Sequence, residues 1–224
     1  MAPEEHLMSF PHDRRSFISI VASVAGLSAA RVSSAQPPRG PSGAASDRFD
    51  MAWLDQMKGT HKQLYDLGGL ELANDPRPLR FARNFLDTFR DVYRLEFPDI
   101  NTAIGISGPA FPMNASDRLW AKYKLGERSR IIDPMTTQPA VRNIFFDDAS
   151  EISVKAIQAR GGVFWQCNVA LGVIAQQLAA TFQTPAAEVH ADLAAGLNPG
   201  VRLMPSHVMA LALAQERGFT YMKP

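Results

Sequence analysis

The hydrophobic residues of this chain change period repeatedly along its length. Residues 61–67 (HKQLYDL) alternate polar and apolar side chains, the period of a half-buried strand. Behind Pro78, residues 78–94 carry Leu79, Phe81, Ala82, Phe85, Leu86, Phe89 and Val92 at helical spacing, and proline suits a helix's first turn. The alternation recurs downstream. Further strands are expected at 101–107, 163–166, 201–204 and 219–222, and further helices at 114–124, 150–159, 168–182, 185–195 and 205–217. Val169, Val173, Ile174 and Leu178 mark the apolar stripe expected of the helix at 168–182. Val208, Leu211, Ala212 and Ala214 mark that of the helix at 205–217, with Gly218 as its cap. Strands alternating with helices predict an α/β fold: a mainly parallel sheet covered on both faces and joined by right-handed crossovers. The interval 125–147 has no clear period. It reads as a long excursion with a short extended piece at 141–146, and such excursions are often functional.

Ahead of this pattern, Asp13-Arg14-Arg15-Ser16-Phe17-Ile18 sets paired arginines before an apolar run at 17–27, and Ser33-Ser34-Ala35 offers a small-residue cleavage site. The run is shorter than the ~20 residues needed to span a bilayer. Residues 1–35 resemble a twin-arginine (Tat) signal peptide, with Asp13 in place of the pattern's Ser or Thr and Ser19 in place of its Lys. The resemblance implies export of an already folded protein to the bacterial periplasm, with no stable membrane insertion after signal removal. Residues 36–58 read as a flexible linker rich in Pro, Gly, Ser and Ala, followed by a short helix with Trp53 and Leu54 on its inner face. The α/β domain is expected over 59–224.

Composition narrows the function classes. The chain of 224 residues is 46% hydrophobic and 20% charged, with a net charge of +1. That is globular composition without the basic excess of a nucleic-acid binder, so no nucleic-acid partner is expected. A single cysteine, Cys167, excludes an intrachain disulfide and any zinc site built from several thiolates. Nine methionines with His61, His207 and Cys167 form no tight metal-binding pattern, so no metal or cofactor is expected. Gly105-x-Ser-Gly108 lacks the spacing of a dinucleotide loop and the lysine of a P-loop, and no G-x-S-x-G elbow occurs.

Chemistry concentrates at 161–178, where a glycine pair, a short strand and a helix meet at Cys167. The C-terminal ends of parallel strands are where α/β sheets present their active groups, and a helix N-terminus favours a thiolate. The alternative is inert packing, since free cysteine is among the most buried residue types. Ser107 and Gly108 after the second strand should share that edge, as should Ser206 and His207 after the fourth. His207 is a candidate general base or cation, or simply a solvated first-turn histidine; Ser206 suits a helix-start hydrogen bond. Asn168 could aim its amide into the site or cap the helix. His61 opens a strand at the opposite edge and reads as structural. Trp120 with Tyr123 reads as a core pair more than a ligand platform.

Two segments carry a family resemblance: the strand, cysteine and helix around Cys167, and the ending NPGVRLMPSHVMALALAQERGFTYM over 198–222. Together they resemble the DsrE-like family of small sulfur-relay proteins over 59–222. The resemblance implies a three-layer sandwich around a five-stranded sheet, a tendency to form homo-oligomers, and a cysteine that accepts sulfane sulfur as a persulfide and passes it on. Cys167 occupies that position. Its implied partners are a sulfur donor or acceptor protein or a small thiol. The export signal and the length of 125–147 depart from the family pattern. Two other function classes remain open: a non-catalytic periplasmic binding or assembly module, and a cofactor- or metal-binding protein suggested by folded export.

Overall fold

A computed structural model describes residues 49–75, 77–147 and 152–224. The Tat-like segment 1–35 and linker residues 36–48 lie outside the described residues. The fold is α/β, a five-stranded, all-parallel sheet flanked by helices on both faces. The strands are β1 (His61–Asp66), β2 (Ile100–Ile106), β3 (Val163–Cys167), β4 (Arg202–Met204) and β5 (Thr220–Met222), in the spatial order β4-β3-β2-β1-β5. The longer helices are α2 (Arg80–Tyr93), α7 (Asn168–Phe182), α8 (Ala186–Ala195) and α9 (His207–Glu216). Shorter ones are α1 (Trp53–Gln56), α3 (Phe111–Asn114), α4 (Asp117–Tyr123), α5 (Leu125–Arg128) and α6 (Val154–Ala159).

Strand alternation divides the interior into two cores. Tyr65, Ile104 and Phe164 pack into the larger one with α2, α4, α7 and α8. Their neighbours Leu64, Ala103 and Trp165 pack into the smaller one with Met204, α1 and α9. β2 is buried along its whole length, as a central strand covered on both faces must be. Trp53, Leu54 and Met57 belong to the smaller core, so packed structure begins at α1, ahead of Gly59.

The crossovers explain this division. From β1 to β4 each connection steps the same way across the sheet, so right-handed crossovers put α2 to α8 on one face. The step from β4 to β5 returns across the sheet, which sends α9 to the other face. The connections leaving β3 and β4 therefore diverge to opposite faces. That divergence is a topological switch point, where open α/β sheets form their binding crevices.

Two expected helix faces hold only in part: Leu178 and Ala214 are buried as expected, and Ile174 and Leu211 pack half-buried against the cores. On α7, Val169 and Val173 are 60% and 51% exposed, and the buried stripe is Leu171, Ala175 and Leu178. On α9, Val208 is 74% exposed while Ala210 and Ala214 are buried. Both helices are apolar nearly all round, so periodicity alone does not choose the inward face. The excursion at 125–147 is also more ordered than its composition suggests. It begins with α5 and closes a bridge between Ile132 and Pro139. Residues 144–146 turn instead of extending. Buried Asn143 donates its amide to the carbonyls of Pro112, Met113 and Ala115 at 3.2, 2.9 and 2.7 Å and accepts the Phe145 N–H at 2.9 Å, an Asx turn that pins the segment.

Candidate functional site

Cys167 is the last residue of β3 and the N-cap of α7. Its backbone is extended, with φ −72° and ψ 119°, which leaves the side chain free to turn back over the new helix. Sγ accepts the N–H of Ala170 at 3.3 Å, as a serine or asparagine oxygen does at a helix start. Across the sheet Cys167 pairs with Met204 of β4. Ser206 caps α9 by accepting the Met209 N–H at 3.2 Å. His207, the first residue of α9, donates its backbone N–H to Cys167 Sγ at 3.2 Å.

One sulfur thus receives donors from the starts of two helices, at the switch point between β3 and β4. Such first-turn N–H groups have no partner inside their own helices and carry the positive end of the helix dipole. Cys167 is only 4% exposed, while Val169 and Val208 project into solvent from the two first turns.

The imidazole of His207 points elsewhere. Nε2 lies 2.7 Å from Asp66 Oδ1, and the Trp165 indole N–H donates to Nδ1 at 3.3 Å. An indole nitrogen can only donate, so Nδ1 is the acceptor and the ring proton sits on Nε2, facing the carboxylate. Both ring nitrogens are occupied, and His207 reaches the thiol through its backbone. Asp66, at the end of β1, also accepts the Gly68 N–H at 2.8 Å and the Tyr221 hydroxyl at 2.7 Å. Burial pushes the Asp66 carboxyl up, but the donors of Gly68, His207 and Tyr221 outweigh it and hold the group below the usual carboxylate range. The bond to Asp66 raises the Tyr221 phenol in turn. A polar chain therefore runs from Tyr221 on β5 through Asp66 and His207 to Trp165 on β3.

Ser206 acts as the cap expected of it. Asn168 is the first residue of α7, but Cys167 takes the capping position; the Asn168 amide oxygen is buried without a hydrogen-bond partner among the described residues. Ser107 donates to the Gly68 carbonyl at 3.3 Å. With Gly108 it lines a neighbouring groove of about 650 Å³, which Ala170 and Leu178 also border. Ser107 and Gly108 thus stand beside the thiol's helix and not on its sulfur. His61 lies against the Phe89 ring at 4.6 Å. Trp120 and Tyr123 are both buried, but against Phe145 and Phe182 respectively. Among the described residues no group of His, Cys, Asp or Glu is placed to hold a metal ion. No described helix is long and apolar enough to cross a membrane.

Sequence reasoning did not find Asp66, Trp165 or Tyr221. Asp66 carried a usable signal, an acidic residue at the C-terminal end of a strand on the functional edge. Tyr221 carried none, because its nearness to Asp66 depends on β5 pairing with β1. No protein-family model, curated protein or solved structure matches this chain.

Proposed function

We propose that the protein is a sulfur carrier in which Cys167 takes up sulfane sulfur as a persulfide and hands it on. The observation that carries the reading is the pair of N–H donors, from Ala170 and His207, that converge on Cys167 Sγ at the switch point. The Cys167 thiolate attacks the outer sulfur of a donor persulfide, R–S–SH. The donor's S–S bond breaks, a new S–S bond forms on Sγ, the transferred sulfur keeps its hydrogen, and the donor leaves as a thiolate. A persulfide anion is served by the same two donors. With no second cysteine in the chain, the sulfur leaves only to an external acceptor. The three-layer α/β frame and the two segments resembling DsrE-like proteins support membership of that family. The twin-arginine pattern at 13–19 supports work in the periplasm.

Incubation with a sulfane sulfur donor, followed by intact mass, tests this reading. One added sulfur atom is expected on the native protein and none on Cys167→Ser. An unchanged wild-type mass defeats it. The burial of Cys167 favours a second reading, a non-catalytic binding or assembly module with a packed thiol. Thiol labelling separates the two: under the second, Cys167 reacts only after denaturation.

A further inference from the structure

The ring nitrogens of His207 bond to Asp66 and Trp165 and not to the thiol, and its side chain is only 12% exposed. The backbone N–H of the same residue is one of the two donors on Cys167 Sγ. We propose that His207 is a positioning residue: its ring, clamped between Asp66 and Trp165, holds its own backbone N–H on the sulfur, so that Asp66 tunes a thiol it does not touch. The inference rests on the reading of Cys167 as the working thiolate.

Three features of the geometry carry it. His207 opens α9 directly after the short strand β4, and helix ends readily fray. Ser206 bonds forward to Met209 and so anchors α9 to itself, not to the sheet. Beyond the N–H on Cys167 itself, the side-chain ties from this first residue to other strands run through the imidazole: to β1 through Asp66, which Tyr221 of β5 braces, and to β3 through Trp165. Gly105 makes room for the clamp, since a Cβ there would stand 2.9 Å from His207 Cε1. The ring bonds to Asp66 from β1 and Trp165 from β3 and, through Asp66, reaches Tyr221 from β5; Gly105 and Gly68 also lie against it.

The test reads the thiolate directly, as the pH dependence of Cys167 alkylation by iodoacetamide in the full-length protein. His207→Ala removes the ring and keeps the N–H. His207→Pro removes both, at a first helical position where proline is tolerated and behind a residue, Ser206, that is already extended. Losing one N–H donor to a charged sulfur should move the alkylation midpoint up by about one pH unit. Below the midpoint the rate should fall about threefold, because the more basic thiolate that remains is also the better nucleophile. The expected result is that Ala and Pro shift the midpoint equally and that His207→Gln, whose amide can donate to Asp66 and accept from Trp165, restores it. A normal midpoint in His207→Ala beside a shifted one in His207→Pro overturns the clamp, as does no shift in either. Should His207→Ala not fold, Asp66→Ala must give the same rise, and its failure to do so also overturns the clamp. Alkylation requires no persulfide, so a shifted midpoint beside an absent sulfur adduct rejects the carrier reading and keeps the clamp.

Discussion

Gly105 offers the sharpest test of how the clamp is packed. It lies in the central strand β2, paired with Asp66 on one side and Trp165 on the other, and its carbonyl accepts the Leu67 N–H at 2.9 Å. A methyl at this position would sit 2.4 Å from Trp165 Cζ2 and 2.9 Å from His207 Cε1. Carbon atoms in contact prefer about 3.5–4.0 Å, so roughly 1 Å of movement is required. The backbone cannot supply it, because β2 is bonded to a strand on each side. The indole cannot supply it easily, because Trp165 is fully buried, with the Trp53 ring 6.0 Å away. Overpacking of this kind costs about 1–3 kcal/mol. For a domain of this size that lowers the thermal midpoint by about 2–12 °C. Gly172 is the control: in α7, where a Cβ would meet nothing within 4 Å, alanine should add about 0.5–1 kcal/mol. Thermal unfolding of both variants, with the alkylation profile of Cys167, is the assay. Gly105→Ala as stable as the native protein, with an unmoved alkylation midpoint, would refute the packing argument.

Other expectations follow from the same packing. Leu171→Ala should cost about 2–5 kcal/mol in chemical denaturation, whereas Val173→Ser on the solvent side of α7 should stay within ~0.5 kcal/mol; comparable losses would mean that the inward face is misassigned. Asp192 accepts from Tyr123, Lys122 and Arg118 at 2.7, 2.8 and 2.6 Å. Burial raises its carboxyl, but those donors prevail and hold it at about 2. The folded value lies below the unfolded one, so the stabilisation is complete above about pH 4 and is lost as pH falls towards 2. Discounted for a side chain that keeps some solvent contact, the loss is about 1–2 kcal/mol, and Asp192→Asn should remove that part of the acid sensitivity in a denaturation series between pH 5 and pH 2.

The sequence by itself determined the order and kind of the main elements and placed Cys167 where a strand gives way to a helix. Those features are local: a period of two or of 3.6 is written in residues that neighbour one another, and a strand-to-helix join is readable wherever the period changes. Only the tertiary structure decided which face of α7 and α9 turns inward. Both helices are apolar nearly all round, and the choice falls to the sheet they cover. The return of the chain from β4 to β5 was likewise invisible locally, yet it sets the switch point beside Cys167 and brings Tyr221 to Asp66. The polar chain joins positions 66, 165, 207 and 221, which come from four segments. No spacing links such residues, because their meeting is set by strand order and crossover direction. The sequence could name His207 as a neighbour of the thiol; the fold decided that it meets the sulfur with its backbone and gives its ring to a carboxylate.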